Sequence, residues 1–111
     1  MAKQQQPLYQ DNRLTISYWP NSVDDYQLII KGKDGEETMQ ILQRGVLEEL
    51  AKTPRERLEI KLDAINPILP RLLQKEEINK DWLHVALCQA HIEEEQRRES
   101  FASQMRAKSR A

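Results

Sequence analysis

The chain is short of the residues that staple, kink or cradle. Its 111 residues include one cysteine, three glycines and one phenylalanine, and aromatic residues together make up 5%. A single cysteine closes no internal disulfide, so a reducing, cytoplasmic setting is expected. With so few glycines there is no phosphate-cradling loop. "KGKDGEE" (31–37) matches neither GxxxxGK[ST] nor GxGxxG, and it lacks the alternating acidic ligands of a calcium loop. No apolar run approaches the roughly 20 residues that span a bilayer, and "MAKQQQPLYQDN" has no apolar stretch of the kind a signal peptide carries. A charge excess is missing too: the net charge is -1, with 7 basic and 8 acidic residues through Arg55 and 10 of each beyond it. General attraction to nucleic acid or anionic lipid is thereby excluded, and any useful field must be local.

What remains is a polar but patterned chain, 39% hydrophobic and 32% charged. The apolar residues are clustered and periodic, which argues for a folded domain with a thin core, or one completed by a second copy. Residues 1–12, with three glutamines in a row, form a flexible lead-in. A period of two then sets in. Leu14, Ile16 and Tyr18 share one face, as do Tyr26, Leu28 and Ile30, and Pro20, Asn21, Asp24 and Asp25 supply turn chemistry between them. These two runs predict a β-hairpin.

From Gly35 to Lys52 a helix is preferred, since Met39, Leu42, Val46 and Leu50 recur at helical spacing and Asp34 with Glu37 forms a candidate capping box. A third strand entered through a type I′ turn at Asp34-Gly35 is the alternative. Thr53, Pro54 and Glu56 read as the start of another helix. Pro67 should stop or kink that helix near Ile65, and Asn79 caps the last one, running from about Lys80 past Arg98 with Ile78, Trp82, Val85 and Ile92 on its main apolar stripe. The expected fold is α+β, ββααα: a hairpin (three strands in the alternative) packed on a small helical bundle. Residues 13–96 make the domain and residues 97–111 a basic, fraying helical tail with 5 basic residues and 1 acidic residue.

Chemistry-bearing residues gather in one place. His84, Cys88, His91 and Glu95 are spaced 4, 3 and 4, along one helix stripe. Imidazole, thiolate and carboxylate are all zinc donors, but one helix face offers two or three ligands where structural zinc takes four. A packed helix edge is the preferred reading, and no cofactor is expected. A catalytic role for Cys88 lacks a third group and a strained turn to present the thiol.

Two surfaces stand out for binding. Tyr18, Trp19 and Tyr26 lie on the hairpin, Trp19 beside its turn. Arg97, Arg98, Phe101, Met105 and Arg106 lie on the tail, an apolar pair within basic residues. The expectation is a non-catalytic, cytoplasmic protein-binding or regulatory module that acts on a larger protein, forms a homodimer and makes no use of membranes. Nucleic-acid binding through the tail is the first alternative, and metal sensing at His84, Cys88 and His91 the second.

Overall fold

The computed structural model describes residues 6–22 and 24–109, with side chains as far as Ser103. Strands form where apolar residues alternate. β2 (Leu14–Tyr18) and β3 (Asp25–Lys31) pair antiparallel with Leu14 opposite Ile30, Ile16 opposite Leu28 and Tyr18 opposite Tyr26. That register puts every large apolar residue of β2 and β3 except Ile29 on one face, where Leu14, Ile16, Tyr26, Leu28 and Ile30 are fully buried. Pro20 and Asn21 occupy the central positions of a turn closed by the Ser22 N–H on the Trp19 carbonyl at 3.0 Å. Asn21 has φ +63°, the left-handed value that a type II turn needs at its third position and that asparagine tolerates.

The sheet is wider than the hairpin. Tyr9–Gln10 forms a short β1 against β2, so residues 8–10 of the expected lead-in belong to the fold, with Leu8 in the core. The expected helix over 35–52 is also corrected. Glu37–Gln43 is β4, paired antiparallel with β3, and only Arg44–Lys52 is helical (α1). The Gly35 N–H closes on the Gly32 carbonyl at 3.0 Å and Gly35 takes φ +88°, giving a three-residue loop in place of the two-residue type I′ turn. Asp34 spends its carboxylate on the Glu36 N–H two residues on, not on a helix start. The four strands run in the order β1-β2-β3-β4, an antiparallel meander with edges at β1 and β4.

The helices cover one face of this sheet. Thr53 ends α1 instead of starting the next helix: its hydroxyl donates to the Glu49 carbonyl at 2.7 Å. One 3-10 turn, Arg55–Arg57, leads into α2 (Leu58–Ile65). The proline break falls where the sequence puts it, with Asn66 ending α2 and Pro67 opening α3 (Ile68–Lys75). Asn79 then caps α4 (Lys80–Ser109), accepting the Asp81 N–H at 2.7 Å. The buried stripe of α4 is Leu83, Ala86, Leu87 and Ala90, rotated from the expected one, because Val85 and Ile92 remain 48% and 54% exposed. Two alanines on that stripe let the helix lie close over the sheet. No helix among the described residues is long and apolar enough to cross a membrane.

Candidate functional site

The stripe of His84, Cys88, His91 and Glu95 packs against the end of α1. The His84 ring Nε2 lies 3.1 Å from the Thr53 carbonyl, and the Cys88 thiol donates to the Ala51 carbonyl at 3.4 Å. Sulfur and imidazole are 3.8 Å apart, while His91 turns to Glu95 at 3.3 Å. Burial pushes the Cys88 thiol above its ordinary value, the opposite of nucleophile activation. Among the described residues no group of three or more His, Cys, Asp or Glu side chains converges on a point where a metal ion would sit. His84 and Cys88 tie α4 to the end of α1, and His91 and Glu95 pair with each other along α4.

The hairpin aromatics divide. Tyr26, expected on the partner-facing surface, is fully buried, because even-numbered residues of β3 point into the core. Tyr18 is half-buried and stacks on Tyr26 with ring centroids 5.6 Å apart. Its hydroxyl donates to Glu94 of α4. Glu94, 4% exposed, also accepts from Arg98 and so joins sheet and helix in one ionic knot. Burial, then the neighbouring Glu94 carboxylate, pushes the Tyr18 phenol far above its ordinary range. The buried Tyr26 hydroxyl makes no side-chain hydrogen bond of ordinary geometry but lies in the field of Glu94 and Arg98. Trp19 is half-buried.

The tail residues divide as well. Arg97 is held by Glu93 at 3.0 Å and donates to the carbonyls of Gln6 and Pro7 at 3.0 and 3.2 Å. Arg97 and Arg98 therefore work within the fold, which corrects their placing on a partner-facing surface. Phe101 is 64% exposed, and the side chains of Met105 and Arg106 lie outside the described residues. Every residue from Glu99 to Ser103 is exposed. Phe101 nonetheless continues the core line: Leu87, Glu94 and Phe101 follow one another at seven-residue steps, going from 1% to 4% to 64% exposed. The helix outlasts the body that covers it.

Two features escaped the sequence. Asp11 gathers the Tyr9 hydroxyl, the N–H groups of Arg13 and Leu14 at 2.7 and 2.9 Å, and the Trp82 indole N–H at 2.7 Å. Burial works to raise its pKa, yet these hydrogen bonds outweigh it and hold the carboxyl below its usual value. Met39 and Ile41 are the other, 43% and 52% exposed on the outer face of the sheet beside the open edge of β4. A depression of about 490 Å³ near β1, lined by Asp11, Arg13, Thr15, Lys31 and Glu37 among others, holds no serine, cysteine or histidine.

Comparison with family models, curated proteins and solved structures gives no match to this chain.

Proposed function

We propose that the chain is a non-catalytic protein-binding module of the cytoplasm, working as a homodimer, and that it engages a larger partner through the exposed run of α4. The observation that supports this is Phe101. A large aromatic side chain, in line with the buried stripe of its own helix, stands 64% exposed beyond the last residue the body covers. An amphipathic helix that runs on without a companion is suited to lie in an apolar groove of another protein. Aromatic residues so placed carry a disproportionate share of binding energy.

The nucleic-acid alternative draws less support. Of the basic tail residues, Arg97 and Arg98 are already engaged by Glu93, Glu94 and the carbonyls of residues 6 and 7, which removes two phosphate contacts from the local excess. The test is affinity capture from nuclease-treated lysate with the unaltered chain and with Phe101→Ala. One stoichiometric protein retained by the first and lost by the second supports the reading. Capture that disappears with nuclease, or is indifferent to Phe101, overturns it.

A further inference from the structure

Natural sheets guard their edges with lysine, proline, a bulge or sheer shortness. β1 obeys, at two residues, with Pro7 close before it. β4 does not. It is seven residues long, has no lysine, proline or glycine from Glu37 to Gln43, and every residue in it except Gln40 and Leu42 is exposed. We propose that β4 pairs antiparallel with β4 of a second copy of this chain, about a dyad at Gln40. This rests on the homodimer part of the reading above and is independent of what Phe101 binds.

The hydrogen-bond phase of the strand fixes the register. The Gly32 N–H donates to the Glu36 carbonyl at 2.7 Å and the Arg44 N–H to the Asp24 carbonyl at 2.8 Å, bracketing the β3–β4 ladder. Even-numbered residues of β4 therefore bond to β3, and the odd-numbered ones, Glu37, Met39 and Ile41, present N–H and C=O to the open side. Symmetric pairing must then join odd to odd. Of the registers that do so, the one centred on Gln40 overlaps the whole strand. Met39 exchanges hydrogen bonds with Ile41 of the second copy, Glu37 faces Gln43, and Gln40 meets its own copy in the closer-spaced, non-hydrogen-bonded position.

Side chains agree with that register. Met39 and Ile41 lie on the outer face, so each apolar residue lands beside an apolar one and the exposed pair becomes a continuous four-residue ridge. Charge agrees too: the strand begins with exposed Glu36 and Glu37 and is followed by exposed Arg44, so antiparallel self-pairing sets the acidic end of one copy against the basic end of the other. The contact is isologous and consumes the edge, so it closes as a dimer and does not propagate into a fibre. The product is a sheet of eight strands, four from each copy, with both helical layers on one side.

The experiment is sedimentation of the full chain and of two variants at exposed positions, Ile41→Lys in the seam and Ile92→Lys on α4. It is combined with mild oxidation of Gln40→Cys and Thr38→Cys, both in a Cys88→Ser background. In this register the two Gln40 Cα atoms stand about 4.5 Å apart, within disulfide reach. The two Thr38 positions are roughly 13 Å apart and out of reach. The expected result is a dimer that Ile41→Lys dissociates and Ile92→Lys does not, cross-linked through residue 40 and not through 38. A monomeric unaltered chain, a dimer indifferent to Ile41→Lys or dissolved by Ile92→Lys, or cross-linking through 38 instead of 40 overturns the proposal. If the chain is a dimer that does not use the seam while Phe101-dependent capture persists, only the seam falls; a monomer that still captures its partner removes the homodimer as well and leaves the partner reading standing. If capture fails while the seam holds, only the partner reading falls.

Discussion

At the scale of single residues, two carboxylates hold the fold where apolar packing ends. Glu94 accepts from the Tyr18 hydroxyl and from Arg98 while almost wholly buried. Replacing it with alanine strips partners from a phenol and a guanidinium that both stay partly buried, and should cost about 2–3 kcal/mol in urea denaturation. Asp11→Ala, which orphans the turn N–H groups and leaves the Trp82 indole only the Tyr9 hydroxyl, should cost a similar amount. The chain's three tyrosines, Tyr9, Tyr18 and Tyr26, all have phenols raised by burial first and by acidic neighbours in addition. Below the ordinary phenol pKa both folded and unfolded chains keep the proton. Above it the unfolded chain ionises first, so stability should fall as pH climbs past about 10. Spectrophotometric titration should show all three phenols ionising late and together with loss of helix signal; an ordinary, separate tyrosine titration in intact protein would contradict this.

At the scale of elements, the fold was legible wherever one period governed one element. The hairpin and its inward residues, the break at Pro67 and the long capped helix after Asn79 all stand as the spacing predicts. β4 was hidden because its apolar positions and those of α1 fall by chance on a single helical stripe. Leu42 and Leu50 are core residues of two different elements, whereas Met39 on the same stripe faces solvent. Phe101 was legible as a binding candidate from its isolation in a charged segment. Tyr26 was misplaced because an aromatic residue looks alike on either face until the register is known. The burial of Glu94 was invisible, since it sits inside a run that reads as solvated. The hydrogen-bond phase of β4 yields its own test: Gln40→Pro removes a bond to β3 and should destabilise the domain by about 1–3 kcal/mol. Met39→Pro removes an N–H that bonds nothing within the domain's own sheet, so it should cost the domain clearly less, although it would break the proposed seam.

At the scale of the molecule, α4 sorts into a part that belongs to the body and a part that does not. Its thirty residues extend about 45 Å against overall dimensions of 54 × 34 × 18 Å. Ending the chain after Glu99 should leave thermal and urea stability within about 0.5 kcal/mol, because the described side chains beyond it, Ser100 to Ser103, are all exposed. Ending it before Glu94 should unfold the domain, since the ionic knot and the Arg97 bonds to residues 6 and 7 go together. The first truncation should also abolish partner capture, separating binding from folding in one chain.

Those Arg97 bonds to the carbonyls of Gln6 and Pro7 join positions 91 and 90 residues apart, and that separation sets an order of events during synthesis. The strands of the meander are neighbours in sequence and can pair as soon as they leave the ribosome. The part of their apolar face under β1 and β2 must wait for α4, which emerges after the strands and after α1, and β1 waits for Arg97 to anchor it. A nascent chain from which α4 has yet to emerge would therefore carry a sheet whose β1–β2 half lies uncovered, the state in which this protein most needs a chaperone and is most open to proteolysis.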